Sequence, residues 1–300
     1  MTRVAGIDCG TNSIRLLISD DGVDVVREMR IVRLGQGVDR TGRLAPEALE
    51  RTRVALAEYQ DLIARHGATA VRMVATSATR DAANRGDFLD MVLGVLGVEP
   101  EVITGDEEAR LSFAGAVQSL PERSGPLLVA DIGGGSTELV VGTADRLLGA
   151  RSLDVGCVRM TERHLRDDPP TAAQVAAVTA DVRAAIDSAR PEVPLDQARS
   201  LIGVAGTVTT VAALALDLDR YRSEVIHGST ISFDQVDDVT QRLLALTSAE
   251  RAALPVMHPG RADVIAGGAV VLRTLMIEVG AREVTASEHD ILDGIAASIA

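Results

Sequence analysis

The sequence predicts an α/β protein of two related halves, and three observations carry that expectation. A strand, a glycine-rich turn and a second strand occur twice, at 4–19 and at 127–142. The 300 residues give room for two domains, each with its own core. Elsewhere, short apolar runs alternate with stretches whose apolar residues recur at helical spacing, the order of an α/β chain. A duplicated unit of this kind implies two half-structures facing each other across a cleft, each loop holding one end of a ligand. The halves are expected at 1–120 and 125–300, with the last helix able to pack back on the first half.

The second copy is the clearer one. In LLVADIGGGSTELVVG, 127–142, an apolar run reads as a buried strand ending at Asp131. Gly133, Gly134 and Gly135 make the turn, Ser136 and Thr137 follow, and a second apolar run leads away. A turn without Cβ atoms lets backbone N–H groups approach an anion, and successive amides form a nest for it. Asp131 and Glu138 put two carboxylates beside that nest. Amides for phosphate oxygens and carboxylates for a divalent cation together make a phosphoryl-handling site. The plainer alternative is an ordinary glycine hairpin with exposed acids. The first copy, VAGIDCGTNSIRLLIS at 4–19, repeats the layout with Asp8, Gly10, Thr11, Asn12 and Ser13. Laying Asp8 on Asp131 sets Gly10 on Gly133, Ser13 on Ser136 and Arg15 on Glu138. The repetition makes coincidence a poor explanation.

Composition bounds the chemistry. Lys+Arg total 30 against 43 Asp+Glu, a net charge of −13, and every one of those basic residues is arginine. A Walker A lysine and Schiff-base chemistry are excluded, so cationic phosphate contacts fall to arginine. A net acidic chain with no Trp, two Tyr and three Phe is a poor binder of nucleic acid. Cys9 and Cys157 are too few for a disulfide framework and lack metal-ligand spacing. Cys9 lies beside the first turn, but no base is visible to activate it. No apolar leader precedes Asp8, and 201–216 is uncharged yet short and rich in Gly and Thr. A cytoplasmic protein with no membrane partner is expected.

In chain order, 23–34 alternates as further strands closing at Gly35 and Gly37, and 46–64 reads as an amphipathic helix. Leu49, Val54, Leu56, Leu62 and Ile63 are its candidate core face. The strand at 71–75 runs into the polar stretch 76–84, at the strand end where open α/β sheets keep ligand sites. Arg80 is the best arginine there for a phosphate, with a helix-face salt bridge as the alternative. A helix at 88–96 and a strand at 101–103 lead to Thr104, whose spacing to Glu107 fits a capping box. Capping and the helix dipole explain some of the acids Asp106, Glu107 and Glu108, and a surplus carboxylate could serve as general base. Residues 118–126 have the make-up of a connection. Beyond the second hairpin the expected elements are strand-to-helix at 152–165, a helix at 172–189 and a strand at 200–205. Gly206 opens the next helix, followed by helices after Ser232 and Ser248 and a long one to about Val279. A strand at 283–286 precedes a closing helix from Ser287 or Glu288. Arg261 and Asp263 are expected to fix a helix start. The five histidines show no metal spacing.

With these motifs assembled, the chain resembles the exopolyphosphatase/guanosine pentaphosphate phosphohydrolase family, within the actin-like ATPase and sugar-kinase superfamily. The resemblance rests on IDCGTNSIRLL at 7–17, ATSATRDAANR at 75–85, GDEEARLSFAG at 105–115 and DIGGGSTELVVG at 131–142. LDVGCVRMTERHL at 153–165, GVAGTVTT at 203–210 and MHPGRADVI at 257–265 extend it. It runs nearly end to end in the right order. It implies two ribonuclease-H-like (actin-like ATPase) domains with the active site in the cleft between them. By the same resemblance Glu108 matches the catalytic glutamate that deprotonates water, and Asp131 and Glu138 match acids associated with Mg²⁺, or Mn²⁺, and with that water. Asp8 would face them as a further metal ligand. Thr11, Asn12, Ser13, Gly133, Gly134, Gly135 and Ser136 would hold phosphates, with Arg80 reaching in.

The implied substrates are inorganic polyphosphate or guanosine pentaphosphate, and the implied assembly is a homodimer. Two departures stand out. The chain is expected to be of the short two-domain form, without the C-terminal helical domains of longer members, and SEHDILDGI at 287–295 lacks the Arg-Glu pair of many relatives. An ATP-dependent kinase or filament-forming ATPase, or a non-catalytic nucleotide sensor, are the rival classes.

Overall fold

The computed structural model describes residues 3–118, 120 and 125–300. In the first half, β1 (Arg3–Cys9), β2 (Ser13–Asp20) and β3 (Val23–Ile31) form an antiparallel meander. Then come α1 (Val38–Thr41), α2 (Pro46–His66), β4 (Ala70–Ala75), α3 (Ser77–Asp81), α4 (Arg85–Leu96), β5 (Glu101–Val102) and α5 (Gly105–Gln118). The sheet runs β3-β2-β1-β4-β5, with β4 and β5 added in parallel. Pro46 in the first turn of α2 and left-handed Gly67 after its end bracket that helix, as a fixed φ and a missing Cβ allow. The polar stretch 76–84 contains a single helical turn, α3.

The second half repeats the plan. It has β6 (Leu127–Ile132), β7 (Thr137–Gly142), β8 (Leu147–Leu153), α6 (Cys157–His164), α7 (Ala172–Ala189), β9 (Ser200–Val204) and α8 (Ala205–Ala215). After these come α9 (Ser223–Ile226), β10 (Thr230–Ser232), α10 (Phe233–Ala245), α11 (Ser248–Ala252), α12 (Ile265–Val279) and β11 (Glu283–Ala286), and the chain closes with α13 (Ile291–Ala297). This sheet runs β10-β11-β9-β6-β7-β8. Read from the third strand of each meander, both sheets run third, second, first, fourth; β5 then ends the first sheet, while β11 and, at the far edge, β10 follow in the second. The duplication legible in the two turns is thus a duplication of the whole sheet, and both halves are ribonuclease-H-like. The connection expected at 118–126 falls largely outside the described residues.

The chain divides into two compact units, one reaching from the start to Gly115 and resuming at Asp290, the other Ala116–His289. The core of the first lies between its sheet and α2 and α4, around Ile7, Leu16, Leu56, Tyr59 and Phe88. Val54, expected in this core, is 47% exposed, because the buried stripe of α2 runs through Ala48, Thr52, Ala55, Leu56, Tyr59 and Ile63 instead. On the other sheet face α13 covers two small clusters, Val4 and Leu17 with Leu292 and Ala296, and Val74 and Ile103 with Ile291 and Ile295. Contact there is close enough that a Cβ on Gly294 would strike the Leu111 carbonyl, and one on Gly115 the Asp290 carbonyl. The closing helix starts later than its sequence suggests. Asp290, not Ser287, is its N-cap, accepting from Leu292 N at 3.0 Å.

Tyr59 is fully buried and its hydroxyl donates to the Ile14 carbonyl at 2.9 Å, tying α2 to β2. Tyr59→Phe removes this buried hydrogen bond, and urea denaturation should read a loss of about 0.5–1.5 kcal/mol. In the second unit Val178, Val182, Val208, Val270 and Leu275 belong to one continuous core. Arg261, expected to fix its own helix start, reaches instead to α8, donating from Nη1 to the Gly206 carbonyl at 3.1 Å. No helix among the described residues is long and apolar enough to cross a membrane.

Candidate active site

Both glycine turns are closed in the same way. Gly10 N donates to Ser13 O at 2.9 Å and Gly133 N to Ser136 O at 3.0 Å. In both, the turn's carbonyls are held from behind by the segment that follows the third strand. In the first turn, Asn12 O accepts from Val32 N and Arg33 N, and Thr11 O from Gly35 N. In the second, Gly133 O accepts from Cys157 N, Gly134 O from Val158 N and Arg159 N, and Gly135 O from Arg159 Nε at 2.6 Å. A trans peptide points its N–H opposite to its C=O. Tying the carbonyls of 133–135 back to α6 therefore aims the amides of Gly134, Gly135 and Ser136 to the other side, as an anion nest requires. The same logic aims the amides of Asn12 and Ser13. Gly156 leaves room for this: a Cβ there would lie 2.5 Å from the Gly134 carbonyl oxygen. Thr11 is further fixed by a buried hydroxyl contact to Ser77 at 2.9 Å, which brings α3 against the first turn.

The acids beside the turns differ between the copies. Asp131 faces Glu138 directly across β6 and β7, whereas Asp8 faces Arg15 across β1 and β2. Asp131 and Glu138 are buried, and Glu138 Oε1 accepts from Ser152 Oγ at 2.7 Å. Two carboxylates thus stand side by side next to the amide nest, the donor chemistry that suits a divalent cation. Asp8, expected as a metal ligand, already has a cationic partner: its Oδ2 accepts from Arg15 Nε at 3.0 Å and Nη2 at 2.6 Å. Arg15 also pairs with Asp290. Burial opposes charge on Arg15, but Asp290 and Asp8 more than reverse this and hold it protonated more firmly than a free arginine. Burial likewise lifts Asp8 above the ordinary aspartate range against the pull of Arg15. Its other oxygen, Oδ1, is buried with no hydrogen-bond partner.

Glu108 stands in the first turn of α5, after Thr104, whose hydroxyl caps Glu107 N at 3.2 Å. Arg80 donates from Nη1 to Glu108 Oε2 at 3.0 Å and to Ile103 O at 3.0 Å. The ion-pair alternative weighed for Arg80 is therefore present. A guanidinium carries five N–H donors, so this pair does not use up its capacity for an anion. Cys9 is buried, and burial, then Asp8, pushes its thiol well above the ordinary range, away from a reactive thiolate.

Among the described residues no three His, Cys, Asp or Glu side chains group into a metal-binding set. Mg²⁺ needs no such cage, since it is commonly held by one or two carboxylates together with substrate phosphates and water. The Asp131–Glu138 pair next to the amide nest fits that requirement. Three contributors were not singled out in the sequence. Arg159 and Ser152 lie within the 153–165 stretch or at its edge and support the second turn. Asp290 is separated from Arg15 by 275 positions, and no local pattern marks it.

The model for the Ppx/GppA phosphatase family matches residues 18–300. Exopolyphosphatase 2 of Mycobacterium tuberculosis is 52% identical over 100% of this chain and 99% of its own length. A solved exopolyphosphatase-like protein superposes with a TM-score of 0.95 at 48% identity, covering 98% of this chain and 97% of the other. The Aquifex aeolicus PPX-GPPA enzyme gives 0.82 at 32% identity, with 99% of each chain covered. With the duplicated sheet, the paired turns and the matched length taken together, the chain belongs to the Ppx/GppA phosphatase family.

Proposed function

We propose that this protein is an exopolyphosphatase, releasing the terminal phosphate of inorganic polyphosphate by in-line attack of water. The observation that carries the reading is the amide nest of Gly134, Gly135 and Ser136 set beside the buried Asp131–Glu138 pair. That pair would hold Mg²⁺, which supplies neutralisation of phosphate charge when bound. The chain's own residues do the rest. The amides of both turns hold phosphate oxygens, and Arg80 keeps the Glu108 carboxylate oriented so that it can take the proton of the attacking water. Catalysis by positioning and charge neutralisation needs no covalent step. The name of the 52% identical relative supports polyphosphate as the substrate class.

The test is phosphate release with Mg²⁺ from long polyphosphate, tripolyphosphate, guanosine pentaphosphate and ATP, side by side. Polyphosphate is expected to be turned over fastest. No release from any of the four by folded protein sinks the reading, and preference for guanosine pentaphosphate replaces its substrate. Glu138→Gln gives a second check. It removes one carboxylate of the proposed cation site, so phosphate release should fall and the rise in melting temperature that Mg²⁺ gives wild type should shrink. A melt still raised by Mg²⁺ as far as that of wild type would remove Glu138 from the cation site.

A further inference from the structure

One rim of the first unit carries more positive charge than the chain as a whole explains. Residues 30–44 hold four arginines and one acid, Asp39, in a protein of net charge −13. Arg30 is neutralised by Glu28 and Glu58. Arg40 and Arg43 are exposed and have no ion pair among the described residues, and Arg85 is in the same state. In contrast Arg3, Arg27, Arg53 and Arg72 on this unit all pair with acids.

The fold sets Arg43 and Arg85 on two segments tied to each other, with Arg40 three residues before Arg43. Ala83 N donates to Gly42 O at 2.8 Å, and Asn84 exchanges two bonds with Leu44, at 2.8 Å from its N–H and 3.1 Å to its carbonyl. Arg43 sits between Gly42 and Leu44, and Arg85 directly follows Asn84. Arg40 ends near Gly37, within 4.0 Å of where a Cβ would stand. The loop is braced from beneath by Arg51, whose Nε donates to Val32 O at 2.8 Å. Its start is the segment whose amides hold Asn12 and Thr11 of the first phosphate turn. With Arg33, the three exposed guanidiniums on α1, the loop after it and the start of α4 stand against Asp39, Asp81 and Asp87, an excess of one positive charge beside an anion turn, which favours a polyanion.

We propose that Arg40, Arg43 and Arg85 form a subsite for the distal, non-reacting part of a long polyphosphate chain. The proposal rests on the polyphosphate reading above. In the Arg40→Ser/Arg43→Ser/Arg85→Ser variant, KM for long polyphosphate should rise about tenfold, and its dependence on salt should flatten, as loss of phosphate contacts predicts. Hydrolysis of tripolyphosphate should stay unchanged, and the triple Arg→Lys variant should restore most of the affinity. A long-chain KM within twofold of wild type, or an equal loss on tripolyphosphate, overturns the subsite. Calorimetric binding of long polyphosphate to wild type and variant, with melting curves matched, tests the rim without hydrolysis. If wild type binds but does not hydrolyse, and the variant binds about tenfold weaker, the activity reading fails while the subsite stands.

Discussion

Replacing Glu108 by glutamine is expected to cut phosphate release from polyphosphate by about 10²–10⁴-fold, the range that a positioned general base contributes. Glutamine keeps the shape and can still accept from Arg80, so the fold and the pairing partner stay in place. Only the ability to take a proton is lost. Glu108 is 7% exposed and held by Arg80 at 3.0 Å, which fixes its orientation before substrate arrives. KM for polyphosphate should therefore move much less than kcat. Steady-state kinetics of the variant decide the matter: activity within threefold of wild type would show that another group activates the water. Glu108→Asp is a useful companion, because it retains the charge but withdraws it by one methylene.

The largest stability effect is expected at Arg15. Arg15→Met removes the cation between Asp8 and Asp290, whose side chains are 5% and 3% exposed. Breaking a buried pair by deleting one partner leaves uncompensated charge and costs about 3–5 kcal/mol. The loss should depend on pH. Burial already lifts Asp8 above its ordinary value, against Arg15, so the folded state binds the Asp8 proton more tightly than the unfolded chain does. Such a group favours folding most strongly below the unfolded value of 3.8 and loses that contribution as pH rises through its folded value. Without Arg15 the folded value climbs further and the loss at neutral pH deepens. Urea midpoints should show the gap between wild type and variant widest at neutral pH and narrowing toward pH 4.5. A gap equal at both pH values would mean that Arg15 acts through packing alone.

What could be read from the sequence was what is local. Gly133, Gly134 and Gly135 announce a turn because a run of glycines breaks a strand, and the matching spacing of Asp8, Gly10 and Ser13 exposed the duplication. Capping was legible for the same reason: Ser232 and Gln235 form their reciprocal box three residues apart. The partners of charged groups were not legible. The spacing of Asp8 and Arg15 gives their pairing across a hairpin, but nothing in IDCGTNSIRLL says that Asp290 completes the set. Arg159 carries a carbonyl of the turn from 24 positions away, a contact made only once β8 has returned the chain. Val54 misled because helical periodicity leaves two faces plausible until the sheet chooses one. The start of α13 was misplaced because Ser287 offers a hydroxyl in the right pattern, yet its Oγ donates to His289 O instead.

The return of the chain's last residues to the first unit also sets an order of events during synthesis. Domains generally fold as they emerge, the N-terminal one first. Here the first unit lacks α13 until the second has been made in full, roughly 10–35 s later at about 5–20 residues per second. Until then Val4, Leu17, Val74 and Ile103 lack Leu292, Ala296, Ile291 and Ile295 over them, and Arg15 waits for Asp290. The second unit, contiguous from Ala116 to His289, has no such wait. The half that is translated first is completed last.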